Sequence, residues 1–152
     1  MMTILPQGWA VIYGFGIRQI ASGQEALLAN VALGQDDLQS AEEFDTYLAA
    51  QAKMIQSNLI EPKIAGPQPT SFPDCDEARM MIVLHTPEAD TVIHVQTYVR
   101  IGLWVGIITL TASQQQLQSV RPYSDQFTKG LRVLPAPDST DLEPRPAAPL
   151  QT

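Results

Sequence analysis

Two strand-like segments, residues 91–100 (TVIHVQTYVR) and 103–111 (LWVGIITLT), are separated only by Ile101-Gly102, and they limit what this chain can become more than any other stretch. The first alternates, with Ile93, Val95, Thr97 and Val99 on one side and His94, Gln96, Tyr98 and Arg100 on the other. The second hardly alternates, as expected of a strand buried on both faces. A tight turn at Ile101-Gly102 sets Arg100 opposite Leu103, Tyr98 opposite Val105, Gln96 opposite Ile107 and His94 opposite Thr109. A glutamine, a histidine and a tyrosine then sit in an otherwise apolar sheet face, the composition of a surface that holds an apolar partner.

The remaining sequence sets bounds on that surface. At 152 residues and 45% hydrophobic content the chain makes one domain with a real core. Sixteen acidic against nine basic residues, the latter scattered singly, give a net charge of -7, which argues against nucleic acid or anionic lipid as partner. The longest apolar run, 101–110, is half of the roughly 20 residues a membrane helix needs, so no stable membrane insertion is expected. The opening residues show no basic start followed by an apolar run and a cleavage site, and a cytoplasmic location is expected. Cys75, the one cysteine, excludes an internal disulfide.

Along the chain, 9–17 and 25–33 read as a first hairpin joined by 19–24. Ser40 opens a helix to about Asn58, with Glu43 completing a capping box and Phe44, Tyr47, Leu48, Ala52 and Ile55 forming its apolar stripe. A short strand at 59–65 precedes GPQPTSFPD, whose prolines predict a loop through residue 73. Residues 77–85 form the next strand. Ser113 and Gln116 form a second capping box before a helix that Pro122 interrupts, with Leu117, Val120, Tyr123 and Phe127 toward the sheet. The expected fold is α+β: a five- or six-stranded antiparallel sheet with two main helices packed on one face, spanning residues 1–134, followed by a disordered proline-rich tail at 135–152. Two helices cannot cover both apolar faces of such a sheet, so one face is expected to stay open.

Several phrases resemble the DcrB-like branch of the PsbP-like fold, and most closely the Eag chaperones of type VI secretion. Leu5-Pro-Gln-Gly-Trp9 resembles the opening Leu-Pro-x-x-Trp of that family. Residues 43–51 (EFDTYLAAQ) resemble its helix, and 95–99 (VQTYV) its Arg-Gln-x-Phe-type strand, with Val95 where relatives often carry arginine. Residues 107–111 (IITLT) through 130–133 (GLRV) resemble its last strand, helix and exit. The resemblance implies an antiparallel sheet with packed helices, frequent homodimerisation, and a curved open face that shelters transmembrane segments of a toxin before export.

Read together, these features predict a non-enzymatic cytoplasmic chaperone or adaptor that shields a hydrophobic segment of a secreted effector. The expected contact set is Met81, Val83, His94, Gln96, Tyr98, Val105 and Ile107. Gln96 stands out, because a buried amide without partners costs roughly 1–3 kcal/mol and would bond a polar atom of the client. Met80 and Met81 point to opposite faces, one into the core and one to a surface where a flexible thioether suits an adaptable site. The alternative is a dimeric PsbP-like or DcrB-like accessory module whose apolar face is covered by its own second copy. No cofactor, metal or catalytic residue is expected. His85 and His94 approach each other if Val83 pairs with His94, but they lack a well-spaced third ligand. Gly14-Phe15-Gly16 lacks the third glycine of a dinucleotide loop. No serine stands in a nucleophile-elbow phrase. Cys75, next to Asp74 and Asp76, is expected to be a passive thiol.

Overall fold

The computed structural model describes residues 9–11, 16–19, 29–86 and 91–131, the first two stretches as backbone only. The expected tail at 135–152 and most of the expected connection at 19–24 lie outside the described residues.

The fold is α+β. Five strands of seven to ten residues form the body of an antiparallel sheet: β3 (Asn30–Asp37), β4 (Lys63–Pro69), β5 (Glu77–His85), β6 (Val92–Ile101) and β7 (Trp104–Ser113). Two short strands, β1 (Trp9–Val11) and β2 (Gly16–Gln19), extend one edge, giving seven strands in the order β1-β2-β3-β7-β6-β5-β4. The expected first hairpin is thus three strands, since 9–17 divides in two and the strand at 25–33 is β3, which runs on to Asp37.

The central hairpin turns at Gly102-Leu103, with Ile101 opposite Trp104, two residues out of register from the expected pairing. Gly102 has φ +58°, a value glycine reaches at no steric cost at the first central position of a two-residue turn. Tyr98 therefore faces Ile107, Gln96 faces Thr109 and His94 faces Thr111. A slip of two residues leaves every side chain on its expected face, because the strand period is two.

β4 runs through Pro67 and Pro69, contrary to the loop expected there. It is the edge strand, its ladder with β5 breaks between Ala65 and Gln68 where Pro67 sits, and Pro69 is its last residue. Prolines are tolerated at those places because no ladder donor is required of them.

Helix α1 (Phe44–Asn58) ends where expected, but one turn of 3-10 helix at Ala41–Glu43 precedes it and the Ser40 side chain makes no capping bond. The second capping box does form: the Ser113 N–H donates to Gln116 Oε1 at 3.3 Å and the Gln116 N–H donates to Ser113 Oγ at 3.2 Å. It leads into α2 (Leu117–Gly130), which continues through Pro122 on its exposed side. Tyr123 is 43% exposed, and Ser124 takes the sheet-facing place expected of it.

The two helices lie on opposite faces of the sheet, not on one. Phe44 and Leu48 of α1 pack with Met81, Tyr98 and Val105. Val120 and Phe127 of α2 pack with Val31, Val99, Ile108, Leu110 and Ala112. These sets alternate along β6 and β7, so each strand feeds both cores. The physical reason is the doubly apolar β7: a sheet apolar on both sides leaves fewer hydrocarbon groups in water when each face receives a helix. On the α2 side Gly106 leaves room for the Trp104 indole, whose Nε1 donates to Gln35 Oε1 at 3.2 Å.

Separation by the sheet has a measurable consequence. Leu48→Ala should cost about 2–5 kcal/mol and Phe127→Leu about 1–2 kcal/mol in urea denaturation. The double variant should equal their sum within about 0.5 kcal/mol. Two helices sharing one core would couple by more.

Candidate partner-binding sheet face

The α1 face is organised as cross-strand rows. Beginning at the central turn, Glu77, Arg100, Val105 and Asp36 form one row, and Arg79, Tyr98, Ile107 and Gly34 the next. Met81, Gln96, Thr109 and Ala32 follow, then Val83, His94, Thr111 and Asn30.

The first two rows are tied down. The Arg100 Nε donates to Glu77 Oε2 at 2.9 Å, and Arg79 Nη2 lies 3.1 Å from Glu77 Oε1. Hydrogen bonding from Arg100, against some burial, lowers the Glu77 pKa. Arg79 also sits over the Phe44 ring, 5.9 Å from its centroid, fastening the start of α1 to β5. The Gly102 N–H donates to Asp76 Oδ2 at 2.7 Å, and Arg100 Nη1 donates to the Gly102 carbonyl at 2.9 Å, so the turn is bound to the start of β5.

Helix α1 lies over the rows at the β4–β5 side. Of the seven residues expected to touch a partner, Met81, Val83, Tyr98 and Val105 are at most 1% exposed. Met81, Tyr98 and Val105 belong to the core beneath α1, because the helix expected to leave this face open packs on it, and Val83 is buried as well. His94, Gln96 and Ile107 stay half-buried. Of the Met80–Met81 pair, it is Met80, on the other face, that keeps accessible surface.

Among the described residues, the part of the face that α1 leaves uncovered lies toward β3. Ala32, Asn30, Thr109 and Thr111 are half-buried there, Gly34 is exposed, and β2 and β1 extend the sheet past them. A Cβ on Gly34 would come to 3.6 Å from Ile107 Cβ, so bare backbone flanks that side chain. The seven-residue expectation omitted this strip. Its trace in the sequence is the Asn30-Val31-Ala32-Leu33-Gly34 alternation, small or polar residues on one face and branched apolar ones on the other.

Polar groups run along the strip. The Tyr98 Oη donates to Gln96 Oε1 at 2.7 Å, which turns the Gln96 amide nitrogen away from Tyr98. Burial pushes the Tyr98 hydroxyl up to about 12. Tyr47 packs edge-on against Tyr98, with centroids 6.2 Å apart. Its buried Oη lies near Asp36 without reaching hydrogen-bond geometry; burial, then the Asp36 carboxylate, raises its pKa.

His85 and His94 do meet. Val83 pairs with His94, and the two Nε2 atoms are 2.9 Å apart, while His94 Nδ1 lies 2.9 Å from Thr111 Oγ1. Such a contact needs a donor and an acceptor nitrogen, so the pair excludes two protons between the rings. Burial first and the His85 charge second lower the His94 pKa. Among the described residues no group of three potential ligands gathers around a metal position. Cys75 is a quiet thiol: burial, then Asp76, raises its pKa, and its Sγ donates to the Phe72 carbonyl at 3.3 Å.

No protein-family profile matches the chain, and no curated protein matches its sequence. Solved structures share its fold, among them the following two. PA94 of Pseudomonas aeruginosa, a protein of unknown function, superposes with a TM-score of 0.68 at 21% identity, over 86% of this chain and 90% of its own. LpqN of Mycobacterium tuberculosis, involved in cell envelope biogenesis, superposes with a TM-score of 0.60 at 11% identity, over 84% and 79%. No helix among the described residues is long and apolar enough to cross a membrane.

Burial of His94 makes stability depend on pH. With its folded-state pKa below the ordinary value near 6.5, His94 takes up its proton more readily in the unfolded chain. Its contribution is therefore complete above about pH 6.5 and is lost as pH falls toward the folded-state pKa. Thermal melts from about pH 7.5 to about pH 5 should show a fall in Tm that His94→Gln reduces. The Glu77 contribution, from a lowered carboxylate pKa, is lost at lower pH, below the ordinary value of 4.5.

Proposed function

We propose that this chain is a non-enzymatic chaperone or adaptor that shelters an apolar, transmembrane-type segment of a type VI secretion effector, in the cytoplasm, on the part of the α1 face between α1 and the β1–β2 edge. The observation that carries this reading is the small-residue floor of that strip. Ala32 and Gly34 on β3 and Thr109 on β7 form a shallow bed beside the half-buried Ile107. Small side chains permit close approach of a helix backbone, the same packing by which helices associate in membranes.

Burial supplies the affinity. Covering a few hundred Å² of client apolar surface at about 25 cal/mol per Å² withholds several kcal/mol from aggregation or premature insertion. The polar row supplies register. The Gln96 amide donors and the Thr109 and Thr111 hydroxyls can satisfy polar atoms of the client that bare hydrocarbon would leave unpaired. The effector and its export system enter this reading through the resemblance of the sequence to Eag chaperones, and the fold shared with PA94 and LpqN is compatible with it.

Co-expression with an effector's apolar N-terminal segment tests the reading. Soluble complex should be recovered with the native chain, fall about tenfold with Thr109→Lys, and fall several-fold with Gln96→Ala. Thr109 is already half-exposed and polar, so the lysine should leave folding intact, which circular dichroism checks. Ile107→Asp is unsuitable, because Ile107 also packs against the core beneath α1. Recovery unchanged by Thr109→Lys would sink the proposed seat. A native homodimer that Thr109→Lys dissociates, with no client complex, would establish the accessory-module reading instead.

A further inference from the structure

His85 and His94 are the two histidines of the chain, and the sheet brings them together at the end of the α1 face away from the central turn. The ladder fixes both backbones, since His94 pairs with Val83 and His85 with Val92. Their ring planes differ by 14°, with centroids 5.0 Å apart and Nε2 atoms 2.9 Å apart. Rings lying face over face with their Nε2 atoms in contact would have closer centroids. The separation is reached only when each ring points its Nε2 toward the other, tip to tip, so the two Nε2 bonding directions lie roughly along one line. His94 is also held on its far side, where Nδ1 lies 2.9 Å from Thr111 Oγ1. When Nδ1–H donates there, Nε2 carries the lone pair. A ring anchored through one nitrogen and presenting the other is the arrangement of a metal-ligating histidine.

Direction and ligand number select the ion. Zn(II), Ni(II) and Cu(II) take four or more ligands at about 90–110° to one another, which two imidazoles facing along a line do not supply. Among the described residues no group of three potential ligands gathers to complete such a shell. Monovalent d10 ions, Cu(I) and Ag(I), accept two nitrogens in line and need no third ligand. Metal–nitrogen bonds of about 2 Å put the nitrogens about 4 Å apart, so the rings have to part by about 1 Å. His85 is the last residue of β5, where rotation of the side chain leaves the ladder intact. The net charge of -7 favours a cation.

We propose that His85 and His94 form a two-coordinate site for a monovalent d10 metal ion of the Cu(I) class, with Thr111 as the positioning residue for His94. On binding, the proton between the rings moves to His85 Nδ1. Both Nε2 lone pairs then face the ion and both imidazoles stay neutral. Nothing in this site requires an effector.

Ag(I), which air does not oxidise, is the probe. Cys75→Ser removes the one thiol that competes for it. In that background the full chain is titrated with silver nitrate in chloride-free buffer and followed by 15N NMR of the two imidazole rings. One ion per chain is expected, displacing both Nε2 resonances together. His85→Asn should weaken binding by about tenfold or more. Thr111→Val, which keeps both ligands and removes only the hydroxyl, should weaken it by about tenfold. Zn(II) should need at least about tenfold higher concentration to displace the same resonances. Displacement of neither ring, or of one alone, overturns the site, as does binding that His85→Asn leaves intact in a chain that circular dichroism shows folded. Zn(II) binding as tightly as Ag(I) overturns the linear geometry, and an unchanged affinity in Thr111→Val overturns the positioning role.

Discussion

The pairing of β6 with β7 sets the parity of every side chain in this sheet, and the central turn sets that pairing. Asp76 accepts from the Gly102 N–H, Arg100 donates to the Gly102 carbonyl, and Glu77 holds Arg100 and Arg79 together. A one-residue slip of β6 against β7 would send Tyr98 to the α2 side and Val99 to the α1 side while Val105 and Ile108 stayed in place. Both helices would then meet the wrong side chains. Arginines and carboxylates at the turn thus hold the frame in which the two hydrophobic cores form.

From that frame follows a division of labour between the faces. Each face takes one helix, and neither helix is wide enough to cover a sheet of seven strands. On the α1 side the helix lies toward β4 and β5, leaving small and polar residues of β3 and β7 accessible. On the α2 side the helix covers β7 and the start of β3, leaving a cleft lined in part by Met80, Val95 and Thr97. The two uncovered regions differ in chemistry because β3 alternates small with branched residues, Ala32 and Gly34 facing α1 and Val31 and Leu33 facing α2.

Much of this was legible in residue order. The β5 limits, the end of α1 at Asn58, the Ser113–Gln116 capping box and the approach of His85 to His94 follow from alternation, stripe spacing and local hydrogen-bonding chemistry. Local rules failed where a neighbour overruled them. The prolines of β4 were misread because tolerance depends on being at an edge, which is a property of the sheet. The Ser40 cap failed because a 3-10 turn placed the start of α1 at Phe44. Tyr123 and Ser124 exchanged roles because burial follows the face α2 turns to the sheet, and a tyrosine ranks above a serine in hydrophobicity alone.

What the sequence determined by itself was the class of fold and the parity of its central strands, because period two survives any even shift in pairing. It also determined that the sheet would be apolar on both sides. Only the tertiary structure decided which helix covered which side, and so moved Met81, Val83, Tyr98 and Val105 from expected surface to core. The choice is not encoded locally: a helix with one apolar stripe fits either face of a doubly apolar sheet, and the connections and packing of the whole chain select between them.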